Sequence, residues 1–247
     1  HEFDAGEKGL KTMLEKARAM KPSFKIVVSN LDEQGQGSFL KEFMSKDDYK
    51  VQPPKPLNQE EKRKKLIHQV LIRELNHKGR RLKVGLIGLL GPDAAFASVS
   101  DRKNVSFVGY RDDASKSRMK DLVSLTQKWT DHLKKKQKVD VVIVIIHGGA
   151  PEDEELAKKV AGLDVIIAGH THRVYESLEG PKGVILAQAG SFGRFLGRLE
   201  LVYHKGKVSV KKKAKHHLVL INDDIPVDQE VFKKIEAYKL LISKKVL

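Results

Sequence analysis

The chain has no cysteine, which rules out a disulfide framework, a thiolate nucleophile and a cysteine-ligated zinc site. Aromatic residues make up only 6% of it, with a single tryptophan. That leaves no interleaving of basic and stacking side chains of the kind single-strand binders use, so nucleic acid is not an expected partner. Nowhere do about 18 apolar residues follow one another, so no transmembrane segment is predicted. Acidic residues are the scarcer charge, 32 against 47 Lys and Arg, for a formal net charge of +15. A surface of that sign attracts phosphate esters, nucleic acid and acidic head groups. The first residue is His1, not Met, so no signal peptide is legible, and the expectation is that the sequence begins inside a longer protein.

What is present is globular in character: 247 residues, 40% hydrophobic and 32% charged. That suffices for one large domain or two small ones, burying about 70–75% of the unfolded chain's surface.

The stretch from Val139 to Arg173 organises the rest. An apolar run, Val141 to Ile146, stops at His147-Gly148-Gly149. A helix-like charged segment, Glu152 to Ala161, follows. A second apolar run, Val165 to Ala168, stops at Gly169-His170-Thr171-His172. Short apolar runs separated by helical segments predict buried parallel strands, and in such sheets ligands bind beyond the carboxyl ends of the strands. Both strand ends deliver histidine beside glycine, and neutral imidazole is a common metal ligand. His170 and His172, two apart, would share one face in an extended segment.

These blocks, with the downstream LAQAGSFGRFLGRLEL and the opening HEFDAG, resemble the calcineurin-like metallophosphoesterases, in particular the 5′-nucleotidase and 2′,3′-cyclic-nucleotide phosphodiesterase branch. HEFDAG is similar to the second part of that family's Gly-Asn-His-Glu-Phe-Asp motif. The resemblance implies an α/β fold, a two-sheet sandwich flanked by helices and lacking its first strand or strands. It implies one catalytic domain over residues 1–247, partial at its N-terminus. It implies two divalent metal ions (manganese, zinc, iron, cobalt or nickel), with His147 and His170 on one and His172 on the other. His1 would be the catalytic histidine and Asp4 its carboxylate partner, the imidazolium steadying phosphorane charge or protonating the leaving oxygen. The expected substrate is a small phosphoester or nucleotide, and the expected location is the periplasm or cell surface. The Asp-x-His, the bridging Asp and the Asn before His1 that complete the family's cage are not in this sequence. Two rivals stand beside the enzyme: a non-catalytic scaffold that retains the fold, and nucleic-acid binding through the basic surface, with an affinity falling steeply with salt.

The remaining elements read simply. Apolar spacing predicts a helix over Gly6 to Met20, ended by Lys21-Pro22. Phe24 to Leu31 is a strand similar to the family's strand ending in Asn. Residues 35–66, with Pro53-Pro54 and EEKRKK, form a basic surface insert. Val70 to Leu90 is a hairpin turning at Asn76-His77-Lys78-Gly79, and Phe107 to Arg111 a short strand. Ala114 to Lys136 is an amphipathic helix with Trp129 in the core. Gly183 to Ala189 is a strand. Phe195 to Tyr203 and Lys207 to Val210 form a hairpin around Lys205-Gly206. Residues 211–217 form a basic edge with His216 and His217 in solvent. Asp228 to Leu241 is a closing helix.

Overall fold

The structure is a computed structural model that describes residues 6–20, 24–31, 40–44, 66–98, 105–109, 117–175, 179–211 and 218–243. His1, Asp4, most of the basic insert, and His216 and His217 lie outside the described residues.

A five-stranded sheet forms the centre, in the order β3-β4-β5-β6-β7. β3 (Val70–His77) and β4 (Arg80–Leu90) pair antiparallel across Lys78 and Gly79, both at positive φ, as a two-residue hairpin turn requires. β4, β5 (Val141–His147), β6 (Val165–Ala168) and β7 (Ile185–Ala187) run parallel. The apolar runs thus became the parallel strands expected of them.

One face carries Ile87, Leu89, Val142, Val144, Ile146 and Ile166. It is covered by α4 (Ser117–Asp131), its π-helical extension His132–Lys136, and α5 (Ala150–Lys159). Trp129 is 2% exposed and donates its ring N–H to the carbonyl of Ser29 at 3.2 Å, so its polar edge is satisfied inside the core. Each such fully buried large side chain stabilises the fold by roughly 1.5–3 kcal/mol. A second cluster joins α1 (Gly6–Ala19), α2 (Leu40–Phe43), β1 (Ile26–Val27), β2 (Ile67–His68) and Phe107. Within the expected surface insert, Leu40, Phe43, Met44 and Leu66 are buried, so the segment enters the core at both ends.

The opposite sheet face is only partly covered. Val165 and Ile185 pack there with Leu199, Leu201, Val208 and Val210. Ile145 and Ile167, cross-strand partners, remain 46% and 41% exposed.

Several expectations need correction. The strand expected over Phe24 to Leu31 shortens to β1, and of the one expected over Phe107 to Arg111 the described part is an isolated bridge from Phe107 to Leu31. The strand expected over Phe195 to Tyr203 is two: β8 (Phe195–Gly197) pairs with β11 (Leu218–Leu220), while β9 (Leu201–His204) pairs with β10 (Lys207–Val210) across Lys205-Gly206. The strand expected over Gly183 to Ala189 shortens to β7, because Pro181–Gly183 form a 3-10 turn. α6 (Gln229–Ser243), capped by the Asp228 carboxylate accepting from the amides of Glu230 and Val231, buries no residue and so closes nothing.

Candidate metal centre

Parallel pairing brings the carboxyl ends of β4, β5 and β6 side by side, and the three loops beyond them build the site. His147 is the last residue of β5 and pairs with Leu90 of β4. Its carbonyl accepts the amide N–H of Gly91 at 2.8 Å, which ties the loop after β4 to the end of β5. His170, after β6, sets its ring against that of His147, with centroids 5.0 Å apart. Gly169 allows this approach, since a Cβ there would lie 3.1 Å from His147 Nδ1.

His170 and His172 do not share a face. Both backbones are left-handed, with φ of 74° and 56°, so the segment is not extended. His170 points to His147, while His172 is exposed and meets the ring of Phe192 at 5.3 Å between centroids. Left-handed backbone at two non-glycine residues costs about 1–3 kcal/mol each, and such strain gathers at functional sites. The loop is held by Thr171, whose hydroxyl donates to Gln188 Oε1 at 3.3 Å, and by the amide of Gly190 donating to the carbonyl of Arg173 at 2.9 Å.

Two carboxylates that sequence reasoning missed stand beside the histidines. Asp93, in the first turn of α3 (Pro92–Ser98), has Oδ2 3.1 Å from His170 Nε2. Glu152, in the first turn of α5, accepts from the amide of Asp93 at 3.0 Å and from that of Gly149 at 3.1 Å. Burial pushes the Glu152 carboxyl up from its usual value, and those two amide hydrogen bonds pull it back. The neighbouring Asp153 is pushed up to about 7, chiefly by burial and then by the charges of Glu152 and Glu154. Asn30, noted only as the end of a strand, is wholly buried. It donates to the carbonyls of Leu90 and Val108 at 2.8 and 3.1 Å and accepts from the amide of Leu90 at 3.1 Å, so it props the end of β4.

Among the described residues, no three His, Cys, Asp or Glu side chains converge so as to hold a metal ion. The structure thus brings together His147, His170 and Asp93, leaves His172 on the rim, and does not describe His1 or Asp4.

The same fold recurs in solved nucleotidase structures. Against solved structures, the 5′-nucleotidase precursor of Thermus thermophilus superposes over 99% of this chain and 42% of its own, with TM-score 0.68 and 24% identity. The NAD nucleotidase of Haemophilus influenzae superposes over 99% of this chain and 50% of its own, with TM-score 0.62 and 19% identity. Among curated proteins, the trifunctional nucleotide phosphoesterase YfkN of Bacillus subtilis (strain 168) is 28% identical over 252 residues. That alignment covers 97% of this chain and 16% of the relative, so the chain spans a minor part of that protein's length. No family model matches the chain. These relatives and structural neighbours are nucleotidases and a nucleotide phosphoesterase.

Proposed function

We propose that the protein hydrolyses phosphoesters of nucleotides, as a 5′-nucleotidase or a cyclic-nucleotide phosphodiesterase. The observation that carries this is the meeting of His147 and His170, 5.0 Å between ring centroids, at the carboxyl ends of adjacent parallel strands. The relative named as a nucleotide phosphoesterase, which aligns over nearly the whole chain, supports the same substrate class.

In this reading His147, His170 and His172 are donors to two divalent ions of the manganese, zinc, iron, cobalt or nickel type. The donor chemistry fits in part. Imidazoles suit these ions, and a carboxylate on the far ring nitrogen, as Asp93 stands to His170, is what commonly orients a ligating histidine. Their number falls short, so further donors must come from outside the described residues. Such ions, when bound, polarise phosphoryl oxygens and lower the pKa of a coordinated water. The chain's own residues supply the rest. Asp93 holds the His170 ring, and the net charge of +15 draws in an anionic substrate. His1, with Asp4 accepting from its ring, would give a proton to the leaving oxygen as its bond to phosphorus breaks. Residence in the periplasm or at the cell surface belongs to the same proposal and rests on the resemblance.

The test is phosphate release from nucleoside 5′-monophosphates, and ring opening of 2′,3′-cyclic nucleotides to nucleoside monophosphates, with added manganese or zinc. His1→Asn should lower turnover by about 10²–10⁴-fold with bound metal unchanged, as expected of a lost proton donor. Full turnover in that variant would remove His1 from the mechanism. A second reading is a scaffold that keeps the fold without catalysis. Absence of hydrolysis from every phosphoester offered would support the scaffold.

A further inference from the structure

Glu152 does more than cap its own helix. A capping glutamate at the third position of α5 needs only the amide of Gly149, which its Oε2 accepts at 3.1 Å. Its other oxygen reaches across to the loop after β4 and accepts the amide of Asp93, 59 positions away, at 3.0 Å. The carboxylate lies in a slot that only glycine can line. A Cβ at Gly91 would fall 2.1 Å from Glu152 Oε2, and one at Gly148 2.8 Å from the same atom. Both contacts are shorter than real Cβ atoms make, so side chains at Gly91 and Gly148 would evict the carboxylate. The slot lies between the ends of β4 and β5. From it the connections continue outward, because Asp93 carries the carboxylate that meets His170 Nε2 at 3.1 Å. Backbone amides hold one end of this chain of contacts, and an imidazole nitrogen stands at the other.

We infer that Glu152 is the positioning residue of the histidine cluster: it binds the loops after β4 and β5 together and, through Asp93, sets the orientation and tautomer of His170 after β6. In this role the carboxylate acts through the backbone of Asp93. Burying it with two amide partners is costly, and that cost explains why its pKa is raised despite both hydrogen bonds. A plain helix cap would not need the second loop or the two glycines. The inference rests on the proposed reading of His147 and His170 as the donor pair, but its test is independent of metal and of turnover.

The experiment is nitrogen-15 NMR on the metal-free full protein, comparing wild type with Glu152→Ala, Glu152→Gln and Asp93→Asn. Wild type should show amide protection at Asp93 and Gly149, and a His170 ring held as a single tautomer. Glu152→Ala should lower protection of those two amides at least tenfold and mix the His170 tautomers, while the β5 amides of Val142 to Ile146 keep their protection. Glu152→Gln keeps one acceptor oxygen and should preserve protection at one of the two amides, and it covers the case in which the alanine variant fails to fold. Asp93→Asn should change the His170 ring as Glu152→Ala does while leaving the Gly149 amide protected. A His170 ring unchanged in Glu152→Ala would overturn the inference, and so would an even loss of protection across β5, the mark of a merely structural role. Because no metal is present, a failure of metal binding elsewhere would sink the proposed function and leave these results standing.

Discussion

Asp153 stands next to the positioning carboxylate and fares worse. Both its oxygens are buried without a hydrogen bond among the described residues, and its pKa is raised from 3.8 to about 7, by burial first and by Glu152 and Glu154 next. Since the folded value lies above the unfolded one, the folded protein holds more protons than the unfolded chain between those two values. Stability therefore falls as pH rises through that window and levels off above about 7. Asp153→Asn keeps the shape and removes the charge. It should raise stability by about 1–3 kcal/mol at pH 8 and change it little at pH 4, as urea unfolding at the two pH values would measure. A variant less stable than wild type at pH 8 would mean that the ionised carboxylate has a partner in solution. At this scale the histidines were legible because each ends an apolar run beside glycine. Asp93 and Glu152 were not. An acid in the first turn of a helix has an ordinary reading, and their real partners lie 59 and 77 positions away, which no local pattern encodes. The expectation that His170 and His172 share a face failed because spacing alone does not reveal a left-handed backbone.

Among the elements, β1 shows how closely the chain packs beside the site. Its Val27 carbonyl approaches Gly88 of β4 so tightly that a Cβ there would lie 2.1 Å from the oxygen. Backbone on both sides leaves nothing to swing aside. Gly88→Ala should therefore cost about 3 kcal/mol in chemical denaturation. A loss below about 0.5 kcal/mol, the level of an ordinary surface change, would show that β1 does not hold this distance. The parallel strands were readable because each writes an uninterrupted apolar run, although Ile145 and Ile167 on one face stay exposed. The split of residues 195–203 between β8 and β9 was not, because each half alternates normally and only the pairing partner differs. α6 was recognisable as a helix from its period, yet its apolar stripe, including Val231, Ile235 and Tyr238, faces solvent. Periodicity reports an apolar face and is silent on what covers it.

For the molecule as a whole, fold and chemistry meet at one end of the central sheet. The helices on one face fix the strand ends, and the loops beyond them carry the histidines and the carboxylates that orient them. The other face keeps Ile145 and Ile167 half open in the described residues, beneath His147 and Gly169 respectively. The general architecture followed from the alternation of apolar runs and helical segments. The shortage of ligands was an expectation of the sequence as well, which lacks the Asp-x-His, the bridging Asp and the Asn that the resemblance calls for. The central claim is that His147 and His170 hold metal, and elemental analysis of the purified protein against protein concentration tests it most directly. The predicted result is close to about two transition ions per polypeptide, as in two-metal phosphoesterases, falling by at least one in His147→Ala. A metal content near zero in the wild type, or one unchanged by His147→Ala, would contradict it.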